Sequence, residues 1–232
     1  MLDLTPHPKH HLEKAWIQLL RAEADKAALA GSLIPDTQLA LFYQEQWFKA
    51  LVPEAYGGFE WSLLKTVQFE EALAWAEGSA GWVFTLCSGA GWFGGYLSAA
   101  LSAEIFKGPK VCLAGSGVAG GVGRFLRNGQ VSIKGKWRYA TGMAHATAFT
   151  ANVYFPQEDK IHSVLLLKEE VDLSVSWEGI GLAGTSTGDM STRSVEINPE
   201  RLFRIDPDQP QVKSPLYRLP FGGLAAVKMA AN

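Results

Sequence analysis

Cysteine is scarce: Cys87 and Cys112 are the only two among 232 residues. Neither belongs to a paired-ligand spacing, and both sit among apolar neighbours. The sequence therefore rules out a structural zinc site, with no metal ligands expected, and offers no disulfide framework; two free thiols in a reducing cytoplasm are expected. A surplus of charge of either sign is also missing. Lys plus Arg number 21 against 23 Asp plus Glu, a formal charge of −2, which argues against a nucleic-acid partner. No signal-peptide core opens the chain. The best candidate span, 78–101, is uncharged but broken by six glycines, so it reads as a pair of buried helices rather than the ~18 apolar residues of a membrane span. There is no internal repeat and no low-complexity segment. What remains is 47% hydrophobic and 19% charged residues, enough to bury a sizeable core.

Two grammars divide the chain. Over 1–108 the apolar residues recur at helical steps, with Leu12, Trp16, Leu19, Leu20 and Ala27 on one face of a first helix. A second helix is expected from Asp36, as N-cap, to the stop at Pro53, carrying Leu39, Phe42, Tyr43, Trp47 and Leu51. A third covers 62–75, a fourth 80–96, and a short fifth is capped by Ser102. Over 109–205 the period becomes two, with candidate strands at 111–114, 122–127, 130–134, 137–141, 148–155, 162–168, 173–177 and 194–197. Asn128-Gly129 marks a hairpin. The expected class is α+β: an all-helical N-terminal domain followed by a small antiparallel β-barrel. Residues 206–232, punctuated by four prolines, form an extended tail and a helical stub with nothing of its own to pack against.

Few residues advertise chemistry. The glycine run 115–121 superficially matches a phosphate-binding loop, but a strand pattern follows it where a helix is required, so it reads as a wide barrel loop. His7, His10 and His11 lie at the terminus and His162 within a strand. His145 is the one histidine in a small-residue loop that a ligand can approach, as a catalytic group or as an ordinary loop residue. Trp16, Trp47, Trp75 and Trp82 fall on apolar helix faces and read as core. Trp137 and Tyr139, in the strand leading to Thr141-Gly142, either pack or line a planar cofactor.

Three segments in order resemble the acyl-CoA dehydrogenase superfamily of flavoproteins. They are Val52-Pro53-Glu54-Ala55-Tyr56-Gly57-Gly58 with Glu70-Glu71 and Gly78-Ser79-Ala80-Gly81-Trp82; Gly135-Lys136-Trp137-Arg138-Tyr139-Ala140-Thr141-Gly142 with His145-Ala146; and Gly181-Leu182-Ala183-Gly184-Thr185-Ser186-Thr187-Gly188-Asp189 with Val195-Glu196-Ile197-Asn198-Pro199. The resemblance implies a flavin, FAD or alternatively FMN, held between the barrel and a C-terminal helical bundle. By matching position, Tyr139 packs near the ring, while Thr141 and Gly142 meet its reactive edge. Leu113, Ala114, Ala119 and Gly120 belong to the earlier flavin-contacting segment.

The match weakens where the family shows threonine-glutamate and glycine-serine-aspartate, because this chain has Ala114-Gly115 and Ala119-Gly120-Gly121. No residue after Asp206 is a glutamate, so the family's catalytic base has no counterpart, and its third domain is expected to be missing. Three functions stand: an acyl-CoA dehydrogenase-like oxidoreductase, the oxygenase component of a two-component flavin monooxygenase with an aromatic substrate, or a non-catalytic scaffold with no flavin. In the monooxygenase reading, the segment from Trp137 to Ala146 resembles that branch's small-hydroxyl-glycine loop followed by histidine, and His145 sits over the substrate. The helices over 62–101 are expected to expose Leu63, Leu64, Trp75, Trp82, Phe84, Trp92 and Phe93. That face and the terminal stub then drive a homo-oligomer or capture a partner polypeptide that supplies the missing helices.

Overall fold

The computed structural model describes residues 7–29, 33–175 and 177–232. The first six residues of the terminus, and the side chain of Ala27, lie outside the described residues. Five helices come first: α1 (Lys14–Leu29), α2 (Asp36–Gln44), α3 (Leu63–Ala76), α4 (Gly78–Gly91) and α5 (Ala99–Ile105). Helix α2 stops well before Pro53, because Gln46 takes a left-handed backbone (φ 53°) that ends the helical ladder. Trp47 then opens a separate 3-10 turn and is still buried. Asp36 is the first helical residue, and Pro35 stands at the cap. Ser62 caps α3 by accepting from the Lys65 amide at 3.3 Å. Glu77 caps α4, its carboxylate accepting from the amides of Ser79 (2.9 Å) and Ala80 (2.6 Å). The cap of α5 is Ser98, not Ser102, whose buried hydroxyl donates to the Gly94 carbonyl at 3.1 Å.

The strands are β1 (Leu113–Phe125), β2 (Val131–Ala140), β3 (Ala148–Phe155), β4 (Lys160–Leu167), β5 (Asp172–Val175), β6 (Gly188–Ile197) and β7 (Leu202–Phe203). They form one sheet in the order β5-β6-β2-β1-β3-β4-β7. The expected purely antiparallel barrel is corrected on two points. The ladder has β5 and β7 as edges with no closing pair among the described residues, and β1 runs parallel to β3, with Leu113 opposite Ala148. The reason is topological. β2 pairs antiparallel with β1 on one side and β6 takes its other edge, so the chain after β2 must cross to the free edge of β1 and, having reversed twice, runs with it. The glycine run is likewise no loop. It is the irregular middle of β1, with register shifts at Ser116/Ala119 and Ala119/Gly121. Gly121 faces Gly135 across the β1–β2 pair, and a Cβ on either would overlap the indole of Trp137, which is fully buried and donates to the Asn152 carbonyl at 2.9 Å. Trp137 is therefore packing.

Helices and sheet share a core. Leu51, Val52, Trp92 and Leu97 pack with Leu113, Ala148, Leu165 and Phe203, and the tail adds Leu216, Tyr217 and Leu224 to the same cluster. The stub is helix α6 (Phe221–Ala231), and it packs on α3 and α4 of its own chain rather than standing without a partner. Phe84 and Trp92 are fully buried and Phe93 nearly so. Of the apolar face expected to be uncovered, Leu64 (68% exposed) and Trp75 (39%) are the large side chains left outside. Trp75 is no core residue: the Arg21 guanidinium lies 4.3 Å over its ring.

An ion pair joins α6 to α3. Lys228 Nζ donates to Glu70 Oε2 at 2.7 Å with both side chains almost wholly inaccessible. Glu70 also accepts from the Thr85 hydroxyl, and Lys228 also donates to Ser88 Oγ at 3.3 Å. Burial raises the Glu70 pKa and lowers that of Lys228, each opposed by the partner's charge. Removing one member strands the other in a dry interior. Lys228→Met alone is expected to lower unfolding free energy by ~3–5 kcal/mol, and adding Glu70→Gln to recover part of that loss in a urea-melt double-mutant cycle.

Candidate functional site

The turn after β2 carries most of the site. Tyr139 has a left-handed backbone (φ 62°), an unusual state for a bulky residue, and leaves its ring 64% exposed. Trp177 meets that ring edge-on with centroids 6.4 Å apart. Two residues later the chain turns inward. Thr141 is buried, accepts from Trp82 Nε1 at 3.2 Å and shares a hydrogen bond with the Thr187 hydroxyl at 3.0 Å, which continues to Thr185 at 2.7 Å. Gly142 (φ 78°) makes the bend, and its amide donates to the Thr185 carbonyl at 3.0 Å. A Cβ at Gly142 would overlap Cys87 Sγ, so only glycine lets the turn close on α4.

The expected site residues fall into two groups. Thr141, Gly142 and His145 lie over α4, close to Cys112 at the foot of β1. Leu113 and Ala114 follow Cys112 with both side chains in the core, so they have only backbone to offer a ligand. Ala119 and Gly120 lie further along β1, Ala119 exposed opposite Asn152 and Gly120 against the Lys136 carbonyl and the Trp137 ring. His145 turns inward. Its ring stacks on Phe48 (5.4 Å, 25°), and both ring nitrogens are buried with no hydrogen-bond partner. Its backbone is held, since Tyr43 donates to the His145 carbonyl at 2.9 Å.

Beside His145 lie the two cysteines. Spacing had set them apart, yet Cys87 Sγ, Cys112 Sγ and a His145 ring nitrogen all fall within 4.8 Å of one another. The hydrogen bond from Cys112 is foremost in pulling the Cys87 thiol down to about 6, with His145 acting in the same direction against burial, while burial pushes Cys112 well up. No sequence signal joins residues 87, 112 and 145, because α4, the foot of β1 and the turn after β2 meet only in the fold.

A pocket of about 150 Å³ lies between α4, β1, β3 and α6. Ala90, Phe93, Phe203, Phe221 and Leu224 make it apolar, and Ser116, Asn152 and Ser163 supply polar groups on the sheet side. Ser163 donates to Asn152 Oδ1 at 3.0 Å, and Asn152 Nδ2 donates to the Gly117 carbonyl at 2.9 Å. Lys228, tied to Glu70, is its one ionisable lining residue. No carboxylate lines it among the described residues. His145 is not in the lining. Sequence reasoning missed this pocket, since α6 closes it over α4, β1 and β3, which end 66 or more positions earlier in the chain.

No family model matches the chain. Indole-3-acetate monooxygenase of Pseudomonas putida is 27% identical over 180 residues, covering 75% of this chain and 45% of that protein. The flavin-dependent monooxygenase oxygenase subunit HsaA of Rhodococcus jostii (strain RHA1) is 21% identical over 209 residues, covering 85% and 54%. The chain spans about half the length of these curated relatives. Among solved structures, 3-HSA hydroxylase from Rhodococcus sp. RHA1 superposes with TM-score 0.84 at 21% identity, covering 98% of this chain and 61% of that one. XiaF from Streptomyces sp., in complex with FADH2 and glycerol, gives 0.78 at 20%, covering 94% and 59%. The fold is thus the acyl-CoA dehydrogenase-like one, and of these four proteins two are monooxygenases by name, one is a hydroxylase and one holds FADH2. No described helix is long and apolar enough to cross a membrane.

Thr141→Val removes the acceptor of Trp82 Nε1 and a partner of Thr187 while keeping shape. It is expected to cost ~1–3 kcal/mol in a denaturant melt, and Thr141→Ser to retain most of the stability.

Proposed function

We propose that the chain forms the flavin- and substrate-binding part of the oxygenase component of a two-component monooxygenase, acting on an aromatic small molecule with reduced flavin delivered by a separate reductase. One observation carries the choice over a dehydrogenase: the curated proteins that the chain matches are an indole-3-acetate monooxygenase and a flavin-dependent monooxygenase oxygenase subunit. The apolar pocket of about 150 Å³ suits an aromatic ring.

The residues fit a flavin. Tyr139 is an outward aromatic face held in a backbone state that costs ~1–3 kcal/mol, with Trp177 edge-on beside it, and that face suits a planar ring. When bound, reduced FAD or FMN supplies the electrons that activate dioxygen. The chain's own residues do the rest. Tyr139 stacks, the Thr141–Gly142 turn borders the ring, and Leu113, Ala114, Ala119 and Gly120 contribute backbone, since the Thr141 hydroxyl is already engaged by Trp82 and Thr187. Phe93, Phe203, Phe221 and Leu224 exclude water from the substrate, while Asn152 and Ser163 orient a polar substituent. On α6, Val227 and Met229 stay exposed, which supports self-association.

The test mixes the protein with reduced flavin, oxygen and a panel of phenolic and indolic compounds, with products read by mass spectrometry. Incorporation of one oxygen atom from dioxygen is expected, reduced ~10-fold or more by Leu224→Trp, which fills the pocket. Anaerobic bleaching of bound flavin by an acyl-CoA would instead establish the dehydrogenase reading.

A further inference from the structure

Buried imidazole nitrogens almost always find a partner, and leaving one without costs ~1–3 kcal/mol. His145 has two such nitrogens, enclosed and unpartnered, with two buried thiols beside them. The groups beside them are the two thiols, which face the Thr141 and Leu113 carbonyls at 3.7 Å. Phe48 fixes the ring plane and Tyr43 the backbone, but neither satisfies a ring atom.

The segments that bring the three side chains together are tied independently of them. The Thr147 amide donates to the Cys112 carbonyl at 2.8 Å, and the Cys112 amide donates to Thr147 Oγ1 at 3.3 Å, so the segment before β1 and the turn after β2 are laced at their bases. Gly142 allows that turn to sit directly on Cys87 of α4. The donor atoms are therefore positioned by backbone, within 4.8 Å of one another, before any ligand is considered.

We propose that Cys87, Cys112 and His145 form a structural Zn²⁺ site that clamps the turn carrying Thr141 and Gly142 to helix α4. Two sulfurs and an imidazole nitrogen are a soft donor set of the kind tetrahedral zinc takes, and with no carboxylate in the cluster the oxygen-seeking Mg²⁺ and Ca²⁺ find no ligands. Charge decides between zinc and cuprous ion. On binding, each thiol releases its proton to solvent, and Zn²⁺ with two thiolates and a neutral imidazole is electrically neutral, which a site this dry tolerates. Cu⁺ in the same cage would leave a net negative charge buried. Three protein ligands leave the fourth tetrahedral position for a water or a main-chain oxygen. The site stands apart from the pocket, so it does not depend on the proposed oxygenase activity.

The test is cobalt substitution in the tag-free, reduced full chain. One Co²⁺ per chain is expected to give the thiolate-to-cobalt charge-transfer band in the near ultraviolet together with intense visible bands of tetrahedral cobalt, and one equivalent of Zn²⁺ to bleach both. Cys87→Ala and Cys112→Ala should each weaken the charge-transfer band, their double variant should abolish it, and His145→Phe should weaken zinc binding ~10-fold or more. Zinc should raise the Tm of the parent chain and not that of the double variant. His7, His10 and His11 are a competing surface cluster, but nitrogen ligands alone give no thiolate band, and His→Gln at all three should leave the signal intact. The parent measurement needs no variant to fold: absence of the charge-transfer band at stoichiometric cobalt overturns the proposal. So does its persistence in the double variant, or an intact mass showing a Cys87–Cys112 disulfide in protein isolated without reductant.

Discussion

The contact on which the rest of the structure depends is the seating of the turn between β2 and β3 upon α4. Through it the helices meet the sheet: Trp82 donates to Thr141, Cys87 lies against Gly142, and Tyr43 of α2 donates to the His145 carbonyl. The same turn is stitched from the other side by the loop before β6, whose Thr185 and Ser186 carbonyls accept from the amides of Gly142 and Met143 at 3.0 and 3.1 Å. That loop is in turn held to the helices, since Ser186 Oγ accepts from the Ile34 amide at 3.0 Å and Ser79 Oγ from the Gly184 amide at 3.2 Å. Because each of these backbone groups would be costly to bury unpaired, the turn has one low-energy arrangement, and Tyr139 is aimed outward by it.

A second constraint shapes the pocket. Helix α6 is apolar and poor in specific contacts along its exposed side, so hydrophobic burial of Leu224 alone would leave its rotation loosely defined. The Glu70–Lys228 pair supplies direction: an ion pair with no access to water is satisfied in one geometry only, and that geometry places Phe221, Leu224 and Ala225 as one wall of the cavity. The charge lining the pocket is consequently compensated, and the cavity is apolar in effect despite a lysine in its wall.

Much of the architecture was legible in the chain. The change of period near residue 108 separated helices from strands, since buried faces recur every 3.6 residues on a helix and every second residue on a strand. The start of α3 near Ser62 and the hairpin at Asn128-Gly129 were readable because they act through neighbours in sequence. Errors arose where a local cap or backbone state, or a distant partner, overrode the apolar spacing. Glu77 outcompeted later positions as the cap of α4 by reaching two amides, and a left-handed Gln46 cut α2 short although the apolar spacing continued through Trp47. The glycine run of β1 looked like a loop because the use of Gly120 and Gly121, to admit the Trp137 indole between strands, is written in a residue 16 or more positions away.

The sequence by itself determined the α+β class, the order of helices and strands and the aromatic at Tyr139 beside Thr141-Gly142. These follow from local periodicity, turn chemistry and net composition, which need no knowledge of what lies across the core. Tertiary structure alone decided the parallel pairing of β1 with β3, the folding back of α6 over Glu70, the carboxylate-free pocket and the meeting of Cys87, Cys112 and His145. Each is a contact between segments far apart in the chain, set by which surfaces remain unpaired once the local elements have formed, and no spacing along the sequence encodes that.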